Sequence, residues 1–126
     1  MLHLYPDPAE RGGVHVSALC DGAGLLVVAR DVGRHNTLDK IWGECLFRDI
    51  PTGGRMLLTT GRLSSEMMVK AAKMQVPVTV SVNSPTARAV EMAERLGITA
   101  VGYARGARLS VYSHPERLSV PSPFYR

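Results

Sequence analysis

Apolar positions in this chain come in short runs, each closed by a cluster of small, polar and charged residues. Leu25 to Ala29 is such a run, and it stops at Arg30-Asp31-Val32-Gly33-Arg34. Leu38, Ile41, Trp42, Cys45 and Leu46 then resume at helical spacing, which predicts a strand, a polar turn and a helix from Gly33 to Arg48. Ahead of this unit, Val14 to Asp21 alternates weakly as a strand, and Asp21-Gly22-Ala23-Gly24 is a hairpin-turn signal joining it to Leu25–Ala29.

The same grammar repeats downstream. Pro51-Thr52-Gly53-Gly54 breaks the first helix, and Met56 to Thr60 reads as a short buried strand. After Gly61-Arg62-Leu63-Ser64-Ser65-Glu66 a helix runs to about Met74, with Met67, Ala71 and Met74 on one face. Val76 to Val82 is the next strand. Asn83-Ser84-Pro85-Thr86 opens another helix, with Pro85 near its first turn, Ala89, Met92, Ala93 and Leu96 facing inward and Gly97 as the stop. Ile98 to Ala104 and Leu109 to Tyr112 are strands around the turn Arg105-Gly106-Ala107-Arg108. Residues 1–12 form a lead-in and 118–126 a tail of one domain. A hairpin followed by β–α alternation implies a three-layer α/β/α domain with a mixed sheet, mostly parallel, with an antiparallel edge from the hairpin.

Composition narrows the function. The chain of 126 residues carries a formal net charge of +4, with lysine only at positions 40, 70 and 73, so the excess is arginine. The planar guanidinium holds two anionic oxygens at once, which suits phosphate. Few aromatics accompany the arginines, against a base-stacking nucleic-acid surface, and a small phosphorylated ligand fits better. No apolar run spans a bilayer and no signal-peptide pattern opens the chain, so a cytoplasmic protein is expected, with neither membrane nor nucleic acid as partner. Cys20 and Cys45 form no CxxC and no ligand pattern, and read as small core residues.

In sheets of this kind ligands bind beyond the carboxyl ends of the parallel strands. Four polar turns begin where apolar runs end: Asp31–Lys40, Gly61–Glu66, Ser81–Thr86 and Arg105–Arg108. The first three lead into helix N-termini, where unpaired N–H groups and the helix dipole favour anions, so Arg34, Arg62, Arg105 and Arg108 would line one cleft. The alternative is four ordinary solvated turns, with Asp31 or Asn36 as a cap. Neither GxxxxGK[ST] nor GxGxxG occurs. His35, within reach of Asp31 or Asp39, is the one histidine with an acid–base setting, and a hydrogen-bonded structural role fits it equally. His3, His15 and His114 are scattered. Ser64 and Ser65 beside Glu66 read first as a helix cap.

Gly12-Gly13-Val14-His15, Asp31-Val32-Gly33-Arg34-His35-Asn36-Thr37-Leu38-Asp39-Lys40, Gly61-Arg62-Leu63-Ser64-Ser65-Glu66, Ser81-Val82-Asn83-Ser84-Pro85-Thr86, Tyr103-Ala104-Arg105-Gly106 and Val111-Tyr112-Ser113-His114-Pro115-Glu116-Arg117 together resemble the FdhD family, the formate dehydrogenase accessory sulfurtransferases. The resemblance implies a fold like that of cytidine deaminase. It also implies transfer of persulfide sulfur from a cysteine desulfurase to the molybdenum bis-guanine-dinucleotide cofactor, for use by formate dehydrogenase, with GDP as a mimic of the bound substrate. On this reading Arg34, Arg62, Arg105 and Arg108 hold phosphates, Asn36 and Asp39 fix the first turn or bond the ligand, and Ser64 caps its helix towards the anion. Asp31, Gly33, His35, Gly61, Ser81, Thr86, Tyr103 and Gly106 complete the expected cofactor-binding set.

The chain corresponds to the C-terminal, nucleotide-binding part of the family pattern, and the family's CxxC loop has no match in it. No catalytic residue is therefore assigned. Sulfuration support by this chain, and a non-catalytic nucleotide-binding or structural module, remain the two readings. A separate CxxC-bearing chain and a homodimer are expected as partners. Zinc-dependent deamination, which needs HxE or CxE with PCxxC, finds His35-Asn36-Thr37 and Thr60-Gly61-Arg62-Leu63 instead, so no zinc is expected.

Overall fold

A computed structural model describes residues 13–118; the expected lead-in and all of the tail but Leu118 lie outside the described residues. Six strands form one sheet in the order β2-β1-β3-β4-β5-β6. The strands are β1 (His15–Asp21), β2 (Gly24–Asp31), β3 (Met56–Thr59), β4 (Val78–Ser81), β5 (Thr99–Arg105) and β6 (Arg108–Val111). The helices are α1 (Arg34–Arg48), α2 (Ser65–Lys73) and α3 (Ala87–Leu96).

Local chemistry explains the boundaries. The Asp21 carboxylate accepts the Ala23 and Gly24 N–H groups at 2.7 and 3.1 Å and closes the β1–β2 hairpin. Ser64 and Thr86 cap α2 and α3 by accepting the N–H groups of Met67 and Ala89. α1 ends on Asp49 and α3 on Gly97, both left-handed. Pro85 lies before the Thr86 cap rather than in the first turn of α3; it is buried and forms a parallel bridge with Leu63.

The mixed α/β sheet is as expected, but it is not mostly parallel. Only β3–β4 and β4–β5 pair in parallel, while β1–β2, β1–β3 and β5–β6 are antiparallel. The reason is the crossover through α1: it carries the chain from β2 past β1, so β1 separates two strands that run the same way and opposes both. β6 then folds back on β5.

All three helices contribute to one core. Leu38, Ile41 and Cys45 of α1, Met67, Met68 and Ala71 of α2, and Ala89 and Ala93 of α3 meet Leu19, Val27, Leu57 and Ala100 of the sheet. Val16, Ala18 and Leu58 form a smaller cluster on the other face, which carries no helix among the described residues, so the described residues supply two of the three expected layers. Two residues expected inward point out: Leu46 is 73% exposed and Leu96 41%. Each sits at the margin of its helix's apolar stripe, Leu46 one position beyond buried Cys45 and Leu96 one turn beyond partly buried Met92.

Candidate functional site

Strand direction decides where the polar turns meet. β2, β3, β4 and β5 all run the same way, so their carboxyl ends share one end of the sheet. The turns β2–α1, β3–α2, β4–α3 and β5–β6 all leave from that end, and β1 begins there with His15, which pairs in register with Asp31. Three helix N-termini are therefore presented together. Neither α1 nor α3 has an acidic residue in its first turn; beside α1 the Asp31 carboxylate accepts the N-cap Gly33 N–H, whereas at α3 the partial positive charge has no such acidic residue in its own first turn.

The first turn is held by Asp31. Its carboxylate accepts the Lys40 ammonium at 2.7 Å, the Gly33 N–H at 2.9 Å and the Asn36 amide at 3.1 Å. These three donors, Lys40 first, hold Asp31 far below the usual carboxylate range. Asp31 and Asn36 are thus committed to the turn, while the N-cap of α1 is Gly33, with no side-chain cap.

Arg34 follows directly. Its alkyl stem lies on buried Gly61, whose missing Cβ would fall 3.0 Å from Arg34 Cβ and 3.3 Å from His15 Nδ1. Arg34 Nε is buried without a hydrogen-bond partner, as is His35 Nδ1. The nearest carboxylate to His35 is Glu66 of α2, at 3.9 Å, and not Asp31 or Asp39; Asp39 instead pairs with Lys70 at 2.8 Å. Asp39 lies one turn beyond His35 on the same face of α1, and Lys70 of α2 takes its carboxylate.

Arg62 donates from Nε to Ser84 Oγ at 3.1 Å, and Arg105 from Nε to the Val82 carbonyl at 3.1 Å. Each guanidinium is anchored by one nitrogen, leaving its terminal amino groups for a ligand. Acidic side chains pair elsewhere, with Lys40, Arg48, Arg55, Lys70 and Arg95. Tyr103 (φ 53°) and Gly106 (φ 58°) adopt left-handed backbone at the end of β5 and its turn, and exposed Arg108 pairs in register with Arg105.

The structure thus brings Arg34, Gly61, Arg62, Tyr103 and Arg105 to one rim, with Gly106 and Arg108 on the adjoining turn. Ser64 and Thr86 serve as caps, and Ser81 is buried beneath the rim at 1% exposure. Sequence reasoning missed His15, which reaches Gly61 only because β1 opposes β3, and Asn83 and Ser84, which tie the loops together.

Among the described residues no group of three or more His, Cys, Asp or Glu side chains gathers as a metal site. Both cysteines are buried, and burial raises both thiols above their ordinary pKa.

The mixed sheet with β–α crossovers and a polar rim at its carboxyl end makes this an α/β domain. The dCMP deaminase of cyanophage S-TIM5 shares this fold at a TM-score of 0.58 and 11% identity, over 70% of this chain and 79% of that one. Closer in sequence is the crystal structure of a candidate formate dehydrogenase accessory protein from Desulfotalea psychrophila. It has a TM-score of 0.77 and 38% identity over 84% of this chain and 48% of that one.

The chain belongs to the FdhD/NarQ family, whose pattern it matches over residues 6–119. The sulfur carrier protein FdhD of Bacillus subtilis is 46% identical over 109 residues, 86% of this chain and 42% of that protein. Its counterpart from Staphylococcus aureus MRSA252 is 47% identical over 116 residues, 92% and 43% respectively. The chain therefore spans less than half the length of these curated relatives.

Proposed function

We propose that this chain is the cofactor-handling part of a formate dehydrogenase accessory protein, binding the guanine-dinucleotide molybdenum cofactor as substrate through its phosphates. The observation that carries this reading is the rim itself: Arg34, Arg62 and Arg105 at the end of the sheet where three helices begin, none paired with a carboxylate among the described residues. Helix N-termini and guanidinium groups are both complementary to pyrophosphate. His35, Tyr103, Gly106 and Arg108 border the same surface.

The sulfur-carrying step finds no exposed thiol here. The chain holds two cysteines, Cys20 and Cys45, and both are 2% exposed. A persulfide sulfur must be reached by its donor and by its acceptor, so the reading that fits is a nucleotide-binding module complemented by a CxxC segment from elsewhere. A cysteine desulfurase would load that segment, and formate dehydrogenase would receive the cofactor. A homodimer is compatible with this arrangement.

The test is calorimetric titration of the purified chain with GDP, with ATP as control. Micromolar, guanine-selective binding that Arg105→Glu abolishes, with the circular dichroism spectrum unchanged, is the expected result. Equal affinity for ATP, no heat with either nucleotide, or unchanged affinity in Arg105→Glu overturns the reading.

A further inference from the structure

Beneath the rim, three hydroxyl residues stand side by side on three adjacent strands. Ser17 of β1 pairs in register with Thr59 of β3, and Thr59 with Ser81 of β4. With Thr37 of α1, all four are at most 2% exposed. A row of polar side chains inside an apolar core is costly unless each is bonded, and here each is.

The bonds run from turn to turn. Thr37 Oγ1 donates to the Arg34 carbonyl at 2.6 Å and lies 2.7 Å from Ser17 Oγ. Ser17 Oγ lies 2.8 Å from Thr59 Oγ1, and Thr59 Oγ1 accepts the Gly61 N–H at 3.1 Å. On the other side of the same residue, Ser81 Oγ donates to the Gly61 carbonyl at 2.6 Å and accepts the Asn83 N–H at 2.9 Å. The Asn83 carbonyl then accepts the Tyr103 N–H at 3.0 Å.

We infer that Ser17, Thr37, Thr59 and Ser81 are positioning residues that lock the four rim turns into one hydrogen-bonded unit, with the Gly61 peptide clamped at its centre. Thr59 fixes the N–H of Gly61 and Ser81 fixes its carbonyl, so the direction in which the chain enters Arg62 is set from below. The first turn is set through the Arg34 carbonyl and the last through Asn83 and Tyr103. None of the four hydroxyls faces the ligand. They place the groups that do, so that phosphates meet a preformed surface with little left to order on binding. The functional consequence rests on the phosphate-binding reading above; the coupling between turns does not.

Two measurements separate these. Backbone amide hydrogen exchange is followed in the ligand-free chain for Thr59→Val and Ser81→Ala. Thr59→Val should speed exchange at Asn83 and Tyr103 by about tenfold, and Ser81→Ala should do the same at Gly61, with Ile98, at the far end of the sheet, unchanged. Thr59→Ser, which keeps the hydroxyl, should restore wild-type exchange. Changes confined to the direct partner of the altered side chain, or equal acceleration at Ile98, overturn the coupling.

GDP titration of the same variants should show about tenfold weaker binding, and in combination with Arg62→Ala the losses should be less than additive. Additive losses overturn the positioning role. A wild-type chain that binds no GDP overturns the proposed function and the positioning of a phosphate site, while the exchange data still decide the coupling.

Discussion

Gly61 and Arg34 touch where a side chain would otherwise be: a Cβ on Gly61 would lie 3.0 Å from Arg34 Cβ and 3.4 Å from its Cδ, with His15 Nδ1 at 3.3 Å on the other side. Gly61 has an ordinary backbone conformation, so the requirement for glycine is one of space alone. Its peptide is held at both ends by Thr59 and Ser81 and has little room to retreat. Gly61→Ala should therefore displace Arg34 or His15, at a cost of about 1–3 kcal/mol as for other overpacked positions. Chemical denaturation reads that loss, and nucleotide affinity should fall with it. An alanine variant with wild-type stability and affinity would show that the contact is slack.

His114 makes a pH-dependent tie at the opposite end of the sheet. Its Nε2 lies 3.0 Å from the Glu94 carbonyl and 3.8 Å from the Glu94 carboxylate on α3, and its Nδ1 lies 3.1 Å from Glu116. The Glu94 carbonyl first, and then Glu116, raise its pKa above the ordinary 6.5. A pKa raised by folding means that the folded state binds the proton more tightly. The stabilisation is complete below the unfolded value and is lost as pH rises through the folded one. His114 also has φ 44°, a backbone region that asparagine tolerates. Melting temperatures of wild type and His114→Asn should thus differ most at pH below 6.5 and converge only as pH rises through the raised folded value above it. A difference that stays constant across this range would remove the ionic contribution.

The convergence of the turns could be read from sequence because each apolar run ended in a polar cluster and most clusters opened a helix. β–α alternation then places those clusters at one end of a sheet whatever its register. Register itself carried no such signal. Ser17, Thr59 and Ser81 are isolated hydroxyls in three separate runs, and only the pairings Ser17 with Thr59 and Thr59 with Ser81 make them a row. His15 carries no sequence signal for the same cause, since its neighbour Gly61 lies on another strand's loop. Sequence proximity favours Asp31 and Asp39 as partners of His35, whereas the packing of α1 beside α2 brings Glu66 nearest. The antiparallel placement of β1 between β2 and β3 was also hidden, because a hairpin signal fixes one partner of a strand and not the second.

The cysteines give the sharpest separation between carrying sulfur and handling the cofactor. Cys45 lies within the main core on α1, and Cys20 Sγ donates weakly to the Met56 carbonyl. Burial raises both pKa values and so lowers the thiolate fraction, and it is the thiolate that attacks a persulfide or an alkylating reagent. Incubation of the native chain with a sulfur-loaded cysteine desulfurase should leave both residues unlabelled in mass spectra, and iodoacetamide should modify them only once denaturant unfolds the sheet. Persulfide on Cys20 or Cys45 in the folded chain would make this domain a sulfur carrier in its own right. Absence of label, together with guanine-selective binding, would place the transferable sulfur on a thiol outside this chain and leave the arginine rim to present the cofactor to it.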